Sequence, residues 1–120
     1  MNKWTLWQYQ KIIDSFLNGC TPQMQEILIR RLDTLSERGV ECNRPISSPI
    51  GEAFFELRGK AGHQQARLIY YFGLNREIIF VHAFYKKSPQ ISRHDMEIAK
   101  KNRRTIEEGR EKLHGLDLTH

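Results

Sequence analysis

Three strand-like segments in a row, separated only by tight turns, constrain this chain more than any other feature of it. Residues 53–58 (AFFELR), 65–72 (QARLIYYF) and 77–84 (EIIFVHAF) are rich in aromatic, aliphatic and β-branched side chains, which suit a pleated, half-buried surface. Gly59-Lys60-Ala61-Gly62 and Gly73-Leu74-Asn75-Arg76 separate them, and connections that short close antiparallel hairpins. The expected unit is a three-stranded antiparallel meander. Its third strand is apolar almost throughout, as a central strand covered on both faces would be.

Helices flank the meander. Ile12, Ile13, Phe16 and Leu17 recur at helical spacing and stop at Asn18-Gly19. Thr21 then serves as an N-cap with Pro22 in the first helical position. Met24, Ile27, Leu28, Leu32 and Leu35 give the second helix an apolar face that ends at Gly39. Residues 40–50, with Pro45, Ser47, Ser48 and Pro49, read as a loop. After Pro89, Ser92 can cap a last helix to about residue 112, with a thin apolar stripe (Met96, Ile98, Ala99, Ile106, Leu113) and many cations, so that helix is expected to be mostly solvated or to meet a polar partner. Trp4, Leu6 and Tyr9 suit either a first edge strand or the start of a helix. The expectation is one α+β domain over residues 1–120, with two amino-terminal helices and one carboxy-terminal helix packed on one face of a twisted antiparallel sheet.

Charge narrows the partners. With 19 Lys and Arg against 14 Asp and Glu the chain carries +5, and its pI of about 9.4 favours polyanions, nucleic acid first. No apolar run reaches the roughly 20 residues of a membrane span, and residues 1–9 hold no signal-like stretch. Cys20 and Cys42 form no metal-ligand spacing and read as reduced thiols of a cytoplasmic protein. No phosphate loop, dinucleotide fingerprint, zinc-protease or nucleophile-elbow motif is present. Asp14, Asp33, Asp95 and Asp117 are scattered, so no carboxylate cluster is expected to hold a metal pair, and no cofactor is expected.

The cations of the meander carry the chemistry. Arg58 ends the first strand, Arg67 lies inside the second, and Lys86 and Lys87 follow the third. A charged residue within a core strand must be paired or exposed. Alternation places Arg67, Ile69 and Tyr71 on one face and Ala66, Leu68 and Tyr70 on the other. If helices cover the Leu68 face, Arg67 projects from the open one, where Arg58, Lys86 and Lys87 could join it. Two readings remain: an ion pair of Arg67 with Glu56 or Glu52, or a phosphate-binding patch. Such a patch suffices for RNA cleavage without metal, because the ribose 2′-OH can attack the adjacent phosphorus when the phosphate is held in line and its charge stabilised. Lys60, His63, His82 and Tyr85 are candidate substrate contacts. For His82 a satisfied core histidine, for His63 a solvated loop residue and for Tyr85 a packing ring are the competing readings. His94, His114 and His120 read as surface residues.

These segments also form an ordered set. Glu56-Leu57-Arg58, then Ala66-Arg67-Leu68-Ile69-Tyr70-Tyr71-Phe72, then Val81-His82-Ala83-Phe84-Tyr85-Lys86-Lys87-Ser88-Pro89, followed by Glu97, Ala99 and Arg103, resemble the phage-derived Gp49-like/HigB branch of the RelE/ParE toxin superfamily. The resemblance implies a RelE-like fold and a metal-independent endoribonuclease that cuts mRNA on the translating ribosome. It implies catalytic cations at Arg58, Arg67, Lys86 and Lys87, and a helix-turn-helix antitoxin of the HigA type as partner. The chain departs from the pattern at Ala66, where Tyr or a polar residue is common, and no tyrosine follows Tyr85 to act as general base. The alternatives are a ParE-like, non-enzymatic inhibitor of DNA gyrase and a non-toxic, phage-derived nucleic-acid-binding protein.

Overall fold

In the computed structural model, which describes residues 3–116 and 118, the chain runs β1 (Thr5–Tyr9), α1 (Ile12–Asn18), α2 (Pro22–Arg38), β2 (Ser47–Gly51), β3 (Phe54–Ala61), β4 (Gln64–Phe72), β5 (Glu77–Tyr85), α3 (Arg93–Glu108) and β6 (Leu113–Gly115). Asp117 and His120 lie outside the described residues. The described residues are α+β, with three α-helices and a mixed six-stranded sheet in the order β2-β3-β4-β5-β1-β6.

The helical hairpin forms where the apolar spacing places it. The Thr21 hydroxyl accepts the Met24 N–H at 3.2 Å, and Met24, Leu28, Leu32 and Leu35 are fully buried along one side of α2. Gly39 ends α2 at φ 55°, against the Trp4 indole, which a Cβ there would overlap. Gly59 is not in a turn. It sits within β3, where a Cβ would collide with Leu28, so its missing side chain lets α2 lie close on the sheet.

The meander is the centre of a larger sheet. Residues 40–50 are not all loop: Ser47–Gly51 pair antiparallel with β3. This strand has little apolar patterning because it is an edge, where the exposed Pro49 leaves no ladder donor missing. The first meander strand therefore begins at Phe54, and Ala53 belongs to the turn. Glu52 and Ala53 both take positive φ, 54° and 66°, as a two-residue type I′ hairpin requires. Alanine is strained there. Ala53→Gly should stabilise the fold by about 1 kcal/mol, read as a higher urea midpoint at unchanged slope.

β1 is a strand, but not an edge. It lies between β5, to which it is parallel, and β6, to which it is antiparallel. The last helix stops at Glu108 rather than near residue 112, and the chain turns back to add β6.

Helices cover both faces, not one. α1 and α2 pack Ile13, Leu17, Met24 and Leu28 onto Leu57, Leu68, Tyr70 and Phe80. α3 packs Ala99 and Ile106 onto Phe54, Ile69, Tyr71, Ile79 and Val81, so it is a packed helix and not a solvated one. Ala99 and Ile106, with half-buried Met96 beside them, are joined by polar groups that complete the interface. Asn102 donates to the Val81 carbonyl at 2.8 Å, and the Arg103 guanidinium lies 4.3 Å from the Tyr71 ring centroid. This double coverage explains the unbroken apolar run Ile78–Val81 of β5.

Candidate active site

The β3–β4 register sets Arg58 directly opposite Arg67, and Glu56 opposite Ile69. Glu56, Arg58 and Arg67 thus share the face that α3 covers only in part. Two facing arginines repel, and Glu56 lies between them. Its Oε1 is 3.2 Å from Arg67 Nε and its Oε2 is 3.1 Å from Arg58 Nε. Both Nε–H groups are buried and near the carboxylate without aligned hydrogen bonds, so the attraction is chiefly that of charge. Ser48 of β2 donates to Oε2 at 3.1 Å, which ties the edge strand to the cluster.

Arg67 does not project from an open face. It is 3% exposed, and its remaining donors reach the Ala66 carbonyl at 2.9 Å and Gln65 Oε1 at 3.1 Å. Pro89, Gln90 and Ile91, before α3, and Met96 of α3 border this part of the sheet beside Glu56 and Arg58. Burial lowers the Arg67 pKa, with Glu56 opposing that shift and Arg58 adding to it. Arg58 is the more accessible of the pair, its side chain 28% exposed.

The third cation arrives through the β4–β5 ladder. The Lys86 N–H donates to the Gln65 carbonyl at 2.7 Å, extending the ladder one step beyond β5. The Lys86 ammonium pKa is lowered by burial first, then by Arg67 and Arg58, against the pull of Glu56. Glu56, Arg58 and Lys86 line a cleft of about 360 Å³ with Arg44, Gln90 and Met96. Three cations around one carboxylate leave a surplus of positive charge in a partly desolvated hollow, the environment a phosphate diester fits.

The other candidates lie around this centre. Lys87 is exposed and lines a neighbouring cleft. Lys60 and His63 are exposed at the β3–β4 hairpin end. His82 donates through Nε2 to Asp95 Oδ1 at 2.7 Å. It sits on the α3 side because the ladder slips between Ile69 and Tyr70, with His82 opposite Ile69 and Phe80 opposite Tyr70. Tyr85 is on the opposite face from Arg67. Its ring packs on Phe16 at 5.0 Å, its hydroxyl donates to Cys20 Sγ at 3.3 Å, and its phenol is pushed up to about 12, chiefly by that bond. Arg44 and Ser48 lie in a stretch that reads as loop and carry no local signal. Glu56 was legible only as an ion-pair partner. Among the described residues no three His, Cys, Asp or Glu side chains come together as a metal site, and no helix is long and apolar enough to cross a membrane.

Asp95 anchors the start of α3. It accepts from His82 and from Ser92 Oγ at 2.7 Å, while its own N–H caps back onto Ser92. Burial raises its carboxyl pKa, but the bonds from His82 and Ser92 outweigh that and hold it below the ordinary 3.8. A depressed folded pKa gives stability that is complete above the unfolded value and lost as pH falls through the folded one. Asp95→Asn should therefore lessen the loss of stability as pH falls from about 5 to about 2, seen as a smaller drop in urea midpoint than in the parent protein.

No curated protein matches the chain. A family model, the phage-derived protein Gp49-like family (DUF891), matches residues 15–104, a span from α1 to near the end of α3 that includes Glu56, Arg58, Arg67 and Lys86. The chain belongs to the phage-derived Gp49-like protein family.

Proposed function

We propose that the protein is the toxin of a type II toxin–antitoxin pair, a RelE/HigB-like endoribonuclease that cuts mRNA on the ribosome without metal. One observation carries this reading: Arg58 and Lys86 line a single cleft with Glu56, and the buried Arg67 lies against that same carboxylate. Membership of the Gp49-like family and the pair of amino-terminal helices on an antiparallel meander support it.

In this mechanism Arg58 and Lys86 hold the scissile phosphate, and buried Arg67 adds positive charge beneath it. The 2′-OH loses its proton and its oxygen bonds to phosphorus. The bond to the 5′-oxygen breaks, and that oxygen takes up a proton. The products are a 2′,3′-cyclic phosphate and a 5′-hydroxyl. Lys86, its pKa lowered, is the group suited to move a proton. Glu56 has Arg58, Arg67 and Ser48 on its two oxygens and acts as the scaffold of the site. Lys87, Lys60 and His63 add exposed contacts for the flanking RNA and the phosphate-rich ribosome. A helix-turn-helix antitoxin with an acidic segment is the matching inhibitor, and the cytoplasm the matching compartment.

Induced expression followed by primer extension on cellular mRNAs tests the assignment. New 5′ ends within coding sequences, absent when translation is blocked beforehand, are expected. Growth arrest with intact mRNA and altered DNA supercoiling would instead identify a gyrase inhibitor.

A further inference from the structure

The cleft around Glu56 does not stop at Lys86. Lys86 and Gln90 also line a second cleft of about 480 Å³, bordered by Phe16, Phe84 and Lys87. This one lies at the edge of β5 that β1 leaves uncovered, since the β1–β5 pairing ends at Gln8 and Phe80. Phe16 in turn lines a third, open depression of about 620 Å³ with Lys11, Ser15 and His82. Each depression thus shares wall residues with the next, Lys86 and Gln90 first and Phe16 second, so the three follow one another along the surface as a groove. It begins on the α3 face, turns around the β5 edge and ends beside the start of α1.

We infer that this groove is a track for single-stranded RNA, which continues from the scissile phosphate around the β5 edge to Lys11. The inference rests on the proposed cleavage of RNA and names where the flanking nucleotides lie. Arg44, Arg58, Lys86, Lys87 and Lys11 give the groove one sign of charge. Its two acids are each held by the protein's own donors: Glu56 by Arg58, Arg67 and Ser48, and Asp95 by His82 and Ser92. Phe16 and Phe84 offer half-buried rings for stacking.

Length and shape favour a single strand. Four residues separate Lys86 from His82, about 13 Å of strand, against a rise of about 3.4 Å per nucleotide in a stacked strand. Several nucleotides therefore span it. A stiff duplex, which for DNA keeps its direction over about 150 base pairs, does not follow a turn around one strand edge.

The test is fluorescence anisotropy with labelled, uncleavable 2′-O-methyl oligoribonucleotides of about 4 and about 12 nucleotides. The longer oligonucleotide should bind about tenfold more tightly than the shorter. Lys11→Glu and Ser15→Glu should abolish that gain and leave the shorter oligonucleotide's affinity unchanged. Both positions are exposed, and an acid at Lys11 suits the helix N-terminus, so the fold is kept. Arg58→Ala should weaken both oligonucleotides. The track is wrong if length brings no gain, if both glutamate variants retain it, or if a duplex of the same length binds as well. In those cases weakening of the short oligonucleotide by Arg58→Ala would still uphold the cleavage site. Failure of both oligonucleotides to bind, with no effect of Arg58→Ala, would remove track and site together.

Discussion

Arg58→Ala should lower the rate of mRNA cleavage about 10²–10³-fold and change stability by no more than about 1 kcal/mol. Arg58 reaches the cleft with a side chain 28% exposed. Without it Glu56 keeps Arg67 and the Ser48 hydroxyl, so no buried carboxylate is left unpaired. A cation that only neutralised Glu56 would give the opposite pattern, with folding weakened and cleavage kept. Toxicity on induction, primer extension on a ribosome-bound message and a urea melt of the purified variant separate the two. A folded, fully toxic Arg58→Ala protein would end its assignment to the site. The informative control is Arg58→Lys. That change keeps the charge but loses the planar fork, and should recover part of the rate.

Glu56→Ala should cost about 3–5 kcal/mol of stability, the largest effect expected of any single change in this cluster. Glu56 is 6% exposed and Arg67 is 3% exposed. Removing the carboxylate leaves a buried guanidinium opposite a second one on the neighbouring strand, and their repulsion is then unopposed. Arg67→Ala is the gentler change, because Glu56 retains Arg58 and Ser48. Loss of toxicity in Arg67→Ala alone therefore does not separate catalysis from folding. A double-mutant cycle does. The pair Glu56→Gln with Arg67→Met should recover stability relative to Glu56→Gln alone, because the buried Arg67 guanidinium is no longer left without its carboxylate, and yet stay inactive. Additive losses across the cycle would show that the two groups do not interact as the 3.2 Å separation indicates.

The β3, β4 and β5 strands, α1, α2 and most of α3 were legible because their signals are local. Alternating and 3.6-residue periods, Thr21-Pro22 before α2, and Ser92 before α3 all act within a few residues of where they are read. That Arg67 needs a partner was legible too, since a cation amid Leu68, Ile69 and Tyr70 must be paired or exposed. The choice between the two readings of it was not. That choice depends on what borders this end of the sheet, and the residues that line the cleft beside Glu56 and Arg58 include Pro89, Gln90, Ile91 and Met96, about 20–30 positions further on than Arg67.

What the sequence determined by itself is the set of segments, their order and the types of charge they carry. Tertiary structure alone decided how those segments pair. It set β1 between β5 and β6, recruited the polar stretch at Ser47–Gly51 as an edge strand, and put α3 across the sheet from α1 and α2. Each of these joins residues far apart in the chain. Their energy comes from apolar surface and ladder hydrogen bonds that exist only after the rest has assembled, so no local pattern encodes them. The same is true of the candidate site: Arg44, Ser48, Glu56, Arg58, Arg67 and Lys86 come from a loop, three strands and a strand end, and become one electropositive cleft only when the sheet sets them side by side.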